Sequence, residues 1–318
     1  MKHRETSHRR RFLADCTAAA GAYWLGAVAG TARAAATSDE GLHLATNQYP
    51  WSTFFGREGK RFEEDLDEGL AAVARAGLDG FEPILDSVEQ VEHLAGLLER
   101  HGLAMRSFYI NLALHEEEAA AASIDHLLPI AARAREAGTQ IVVVNPTPLQ
   151  WGGMEDKDDT QLRTQAAALD RLGRQLAEME LTLSYHYHDA ELRQAAREFH
   201  HMMVGTDPEL VTLCLDAHWY YRGAGNSAVA LFDVATLYLE RISELHLRQS
   251  VDGVWTEAFG EGDIDHPRLA EMLAEAGLRP HLVLEQAVEG ASPHTMDAVA
   301  AHRAGAAYAR RVFAALGG

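Results

Sequence analysis

Cysteine is nearly absent from this 318-residue chain, which has only Cys16 and Cys214. Cys16 falls in a segment read below as removable. One remaining thiol cannot close an internal disulfide, so packing alone must hold the fold. A basic patch is also missing beyond the N-terminus. With 28 basic and 47 acidic side chains the formal charge is −19, and such a surface repels nucleic acid and anionic membranes alike. No G-x-G-x-x-G follows the first apolar run, where the text continues "NQYPWSTFFGREGK"; this disfavours an open dinucleotide-binding sheet. Low-complexity segments and interdomain linkers are absent too. The remaining composition, 47% hydrophobic and 24% charged, is that of a globular protein long enough for a single barrel of about 250 residues.

The N-terminus differs in kind. "HRRRFL" (8–13) resembles a twin-arginine export signal, read by a receptor. The apolar stretch "TAAAGAYWLGAVAG" (17–30) is short for a helix spanning about 30 Å of hydrocarbon, and "ARA" (32–34) supplies a small-x-small cleavage pattern. The sequence therefore predicts a signal peptide over 1–34 and one domain over 35–318. The protein is expected to be exported to the periplasm or beyond by the twin-arginine machinery, with no stable membrane anchor after cleavage. Cleavage takes six of the 28 basic residues and two of the 47 acidic ones, leaving a formal −23.

Past residue 40, short apolar runs alternate with longer amphipathic ones. Strands are predicted at 41–46, 79–85, 103–110, 140–145, 180–188, 210–216, 242–248 and 281–285. Helices are predicted at 61–77, 93–102, 127–138, 169–179 and 269–278, the first with Phe62, Leu66, Leu70 and Val73 on one face. About eight strands, each followed by a helix, form the pattern of an α/β fold with a single (β/α)8 TIM barrel.

Such barrels act at the C-terminal ends of their strands, and the polar residues gather there. The second run ends beside Glu82, the fourth at Asn145, the sixth at Asp216 and His218, the seventh at His246 and Arg248, the eighth at Glu285. The fifth reads "LSYHYHDAEL" (183–192), where His186 and His188 share a face, Tyr187 takes the other, and Asp189 and Glu191 follow. Imidazole and carboxylate without thiolate suit one divalent ion, with manganese first and cobalt, iron, zinc or magnesium as the others. A ring of buried ion pairs is the alternative, at the cost of burying charge. Trp51, Trp219 and Trp255 are read into loops at the mouth, where aromatic faces suit sugar rings. Asp265 is read as an N-cap with Pro267 in the first helical turn.

"LCLDAHW", "ELHLR", "GEGDID" and "LVLEQ" together resemble the xylose-isomerase-like sugar phosphate isomerase/epimerase superfamily, the endonuclease-IV-like barrels. The resemblance covers nearly the whole chain after the signal. It implies a metal held by Asp216, His246 and Glu285. The family's first glutamate has no match, but "HYHDAE" is similar to the "HNHD" element of a histidine-rich branch. That makes His186 the fourth ligand, with Glu191 as the alternative.

A divalent ion chelating a carbonyl and its neighbouring hydroxyl would act as Lewis acid toward the adjacent carbon's proton, leading to an enediolate. Glu285 is the expected base, with His188 or His218 as the second acid/base. Arg248, Trp219, Asn145 and Glu82 are the expected substrate contacts, although Arg248 could instead pair with Glu261 or Asp263. The expected activity is isomerisation or epimerisation of a sugar or keto-sugar. The alternatives are a lyase, dehydratase or 3-keto-glycoside-cleaving enzyme of the same fold, and an exported sugar-binding protein without turnover.

Overall fold

The computed structural model describes residues 41–317; the segment read as an export signal lies outside the described residues. All eight apolar runs become parallel barrel strands: β1 (Leu44–Asn47), β2 (Gly80–Glu82), β3 (Ser107–Leu112), β4 (Ile141–Pro146), β5 (Thr182–Tyr185), β6 (Val211–Asp216), β7 (Ile242–Leu247) and β10 (His281–Leu284). A small antiparallel hairpin, β8 (Ser250–Val251) and β9 (Val254–Trp255), follows β7. The strands are ordered β2-β1-β10-β7-β6-β5-β4-β3. Parallel bridges Gly80↔Ala104 and Ile84↔Tyr109 join the two ends, helped by Phe81 N donating to Ala104 O and Tyr109 N to Pro83 O, each at 2.9 Å. The sheet is thereby nearly closed into the expected (β/α)8 barrel.

Around it lie α1 (Gln48–Arg57), α2 (Leu66–Arg75), α3 (Val88–His101), α4 (Glu117–Glu136), α5 (Asp159–Glu178), α6 (Asp189–Gly205), α7 (Ala217–Gly223), α8 (Ala228–Leu237), α9 (His266–Glu275) and α10 (Ala298–Val312). The helix predicted over 61–77 splits into a 3-10 turn at Phe62–Glu64 and α2, because the Asp65 side chain accepts from Glu68 N at 3.2 Å and caps a new start. Asp265 caps α9 as expected. Among the described residues, no helix is long and apolar enough to cross a membrane.

The placement of Trp51 is a correction. It sits inside α1, which begins directly after β1 with Pro50 in its first turn, where a backbone N–H is not needed. Its indole is fully buried, donates to Thr46 Oγ1 at 3.2 Å and stacks on His302 with centroids 4.1 Å apart. It is a core residue, not a mouth residue.

Strand alternation layers the barrel interior. Outward positions such as Leu245 and Leu247 pack under the helices, while Glu244 and His246, two residues apart, face the axis. The register sets Asp216 beside His246 and Cys214 beside Glu244. Two polar layers result, with Glu82, Ser107 and Glu244 below, and His186, Asp216, His246 and Glu285 above.

Candidate metal centre and active site

The upper layer brings together one donor atom from each of His186, Asp216, His246 and Glu285, all within 4.8 Å of one another and all buried. His186 extends β5 by donating its backbone N–H to Val144 O at 2.8 Å. Asn145 orients its ring: the Asn145 amide nitrogen donates to Pro146 O, so its Oδ1 faces His186 Nδ1 at 3.4 Å. Nδ1 is then the protonated nitrogen, and the lone pair of Nε2 points into the cluster. Asp216 is the N-cap of α7. Its Oδ1 accepts from Trp219 N at 2.8 Å, which leaves Oδ2 for the cluster. Tyr187, on the opposite face of its strand, donates to Asp216 O at 2.9 Å and ties β5 to β6.

His246 is oriented from below. Its Nε2 lies 3.1 Å from Glu82 Oε1 and 3.2 Å from Glu244 Oε1, and Ser107 Oγ donates to Glu82 Oε2 at 2.6 Å. Nε2 is the donor to these carboxylates, which turns Nδ1 toward the cluster, where it lies 3.2 Å from Glu285 Oε2. Among the described residues, His186 Nε2, Asp216 Oδ2, His246 Nδ1 and Glu285 Oε2 have no hydrogen-bond partner. Arg248 Nη2 is close to two of them, 2.7 Å from Glu285 Oε2 and 3.7 Å from Asp216 Oδ2, as ion pairs without hydrogen-bond geometry. Arg248 therefore pairs here rather than with Glu261 or Asp263. Asp263 instead accepts from Ser250 Oγ and the backbone N–H groups of Asp252 and Gly253, bracing the β8–β9 hairpin.

Four orphaned donors converging without thiolate fit a divalent ion. Charge points the same way. Burial, reinforced by Glu82, pushes the Glu244 carboxyl well above its usual range, so it stays protonated. Burial opposes the charged form of Glu285 but Arg248 and His246 outweigh it, keeping that carboxyl well below the usual range. Burial lifts Asp216 to about 7 against the pull of Arg248. Burial opposes a charge on His246, but Cys214, Glu82 and Glu285 hold its pKa well above the usual range, so an ion that takes Nδ1 replaces a proton. Ionised Asp216, Glu285 and Glu82 then stand against Arg248 alone, a deficit of two that a divalent cation removes.

The other expected site residues divide. His188 lies on the wall of a cavity of about 290 Å³ above the cluster, together with Arg248, Glu285, Trp219, Tyr109 and Trp151. Burial holds its pKa down to about 4, so the imidazole is neutral at pH 7. His218 does not reach that cavity. It is buried behind it, against Tyr221 and Trp255, with its pKa lowered to about 2 by burial and then Arg248. Glu82 and Asn145 are buried around the two imidazoles and do not line the cavity either, so their contacts are with His246 and His186. Glu191 faces away. As the third residue of α6 it accepts from His188 N at 2.8 Å, and burial beside Glu198 raises its pKa to about 7. It is outside the cluster, whereas His186 is inside.

Sequence reasoning missed Glu244, although its place two residues before His246 on the same strand face was a usable signal. Tyr109 was missed as well. Its ring meets His186 edge-on at 5.4 Å, and nothing in the alternation of β3 distinguishes it.

The sequence profile of the xylose isomerase-like TIM barrel family matches residues 70–312. An inosose dehydratase from Clostridium perfringens is 26% identical over 251 residues, covering 70% of this chain and 82% of that protein. Among solved structures, the 3-keto-D-glucoside 4-epimerase from E. coli superposes with a TM-score of 0.63 at 16% identity, covering 85% of this chain and 99% of the other. A xylose isomerase-like TIM barrel protein from Mycobacterium smegmatis, in complex with magnesium, gives 0.60 at 14%, covering 87% and 97%.

Proposed function

The chain belongs to the xylose isomerase-like TIM barrel family, and from that premise we propose that it is a divalent-metal-dependent isomerase or epimerase of a sugar or keto-sugar. The observation that carries this reading is the set of four orphaned donors, from four strand ends, below a cavity lined by His188, Arg248 and Glu285. His186, Asp216, His246 and Glu285 would hold the ion, with manganese the first choice and magnesium a relative's precedent. When bound, the ion supplies Lewis acidity toward a substrate carbonyl.

The chain's own groups do the rest. Arg248 is fully buried, and neither Nη1 nor Nη2 makes a hydrogen bond among the described residues, so it can hold a substrate oxygen. Its neighbourhood keeps Glu285 ionised, and burial keeps His188 neutral. Both are therefore unprotonated at neutral pH, the form a base must have. Trp219, also on the cavity wall, offers a face for the sugar ring. His218 has no part in this reading.

Elimination from a keto-sugar is a second reading. A specific observation favours it: the two candidate proton carriers are a carboxylate and an imidazole, an unlike pair of which one can take the carbon-bound proton and, once protonated, return it to the departing oxygen. The inosose dehydratase relative supports it. Incubating metal-loaded protein with keto-sugars in deuterated water tests both. Exchange of the carbon-bound hydrogen with unchanged product mass apart from label supports epimerisation or isomerisation; loss of water or an aglycone supports elimination. Glu285→Gln is expected to abolish exchange while keeping most of the metal. Absence of exchange with every substrate would favour a binding protein without turnover. We also infer export by the twin-arginine route, from "HRRRFL" and its flanking segments.

A further inference from the structure

The wall of this cavity changes character with height. At the floor are the charged groups Arg248 and Glu285. At the rim the same cavity is lined by Tyr49, Ile84 and Trp151, whose side chains are 42%, 45% and 56% exposed. Met154, 81% exposed, lies on the same loop as Trp151. Exposed apolar side chains scattered singly need no explanation, but several around one mouth do.

The loop carrying Trp151 is held in place. Arg193 donates to Asp156 Oδ1 at 2.6 Å, Gly153 O at 3.1 Å and Glu155 O at 3.2 Å, fixing the stretch just after Trp151. The indole of Trp151 stands edge-on to His188 at 5.8 Å, and that of Trp219 does the same at 5.3 Å. The rim is thus continuous with the chemistry below it through His188.

Each of two rim amides already spends one of its two polar atoms inside the protein. Gln48 Nε2 donates to Glu63 Oε1 at 3.1 Å, and Asn111 Oδ1 accepts from Tyr109 Oη at 3.3 Å. What the rim offers is apolar contact. The buried Nη1 of Arg248 and the buried Oδ1 of Asn47, which make no hydrogen bond among the described residues, concentrate polar recognition at the floor. Trp151 and Ile84 line the same cavity as the floor groups, so a second group attached to a sugar held at the floor would meet them.

Resting on the function proposed above, we propose that the substrate is a keto-sugar glycoside whose apolar, ring-bearing aglycone lies on the rim formed by Tyr49, Ile84 and Trp151. The sugar carbonyl is taken at the floor and the aglycone at the mouth.

The test compares affinities of metal-loaded protein for 3-keto-glucose, phenyl 3-keto-glucoside and a 3-keto-disaccharide by calorimetry. The phenyl glycoside is expected to bind about tenfold more tightly than the bare keto-sugar, from apolar area removed from water. Trp151→Ala and, separately, Ile84→Ala should move that ratio toward unity. Because the ratio is taken within each variant, a general loss of folded protein cancels. Equal affinities in the wild type overturn the proposal while leaving the proposed function standing, as does a disaccharide that binds as tightly as the phenyl glycoside. A concentration-dependent dimer that buries Trp151 overturns it in favour of a second copy of the chain at the rim. Absence of binding by any keto-sugar overturns the parent reading and this one with it.

Discussion

Replacing Glu82 by Gln isolates the step on which the proposed metal site depends. The substitution keeps shape but removes charge from an oxygen 3.1 Å from His246 Nε2. If His246 binds through Nδ1, that carboxylate fixes its tautomer and raises its basicity as a ligand. Loss of such outer partners costs about 10–100-fold in metal affinity, or roughly 1.4–2.7 kcal/mol. Glu244 Oε1 lies at nearly the same distance, 3.2 Å, so the single variant keeps one carboxyl oxygen on Nε2. About tenfold is expected for Glu82→Gln, and about a hundredfold when Glu244→Gln is added. The metal-free protein should lose stability as well, through the same contact. Burial opposes the charge of Glu82, but His246 outweighs it and holds that carboxyl below its usual range, so a neutral amide leaves the imidazole without its buried partner and should lower the apo melting temperature. Manganese titration followed by electron paramagnetic resonance reads the first effect, and thermal denaturation in chelator reads the second. Wild-type affinity in the double variant would refute the Nδ1 assignment. An apo melting temperature that stays unchanged or rises would mean that Glu82 carries no charge beside His246.

Three further outcomes follow from particular residues. His186→Ala should lower metal occupancy severalfold while Glu191→Gln keeps it, since Glu191 accepts only from His188 N and lies outside the cluster; elemental analysis of both decides, and the reverse pattern would overturn the assignment. His266 and His302 are held neutral by burial, with pKa values lowered to about 4. The unfolded chain therefore takes up these protons first, and stability that is fully present above about pH 6.5 is lost as pH falls toward 4, by up to about 1.4 kcal/mol per pH unit for each histidine. Chelated protein melted at pH 7.5 and 5.0 should show this, and His302→Gln should flatten the difference. Changing both Arg9 and Arg10 to Lys should retain the protein in the cytoplasm by cell fractionation, whereas continued export would mean another route.

Much of the barrel was legible because each level of the sequence agreed. Runs such as "IVVVNP" are apolar on both faces, as parallel strands covered by helices must be, and all of β4 is buried. Period-two alternation likewise fixed that His186 and His188 share a face, and that His246 and Arg248 do. The missed placements occur where alternation stops or where depth matters. His218 follows Asp216 by two residues, but the chain has already turned into α7 with Asp216 as its cap, so the shared face is lost and the ring is buried behind the cavity.

Trp51 was misplaced for a similar reason: α1 starts directly at the end of β1, so a short connection with mixed polarity read as a loop. Glu82 posed the other problem. It does face the axis of the barrel, yet it meets His246 from below rather than a substrate from above. The sequence by itself determined which residues end strands and which face they take, because that periodicity is local to each strand. Their depth was decided only by the tertiary structure, because closing a barrel tilts and staggers its strands, and that stagger sets which strand-end residue lies level with which.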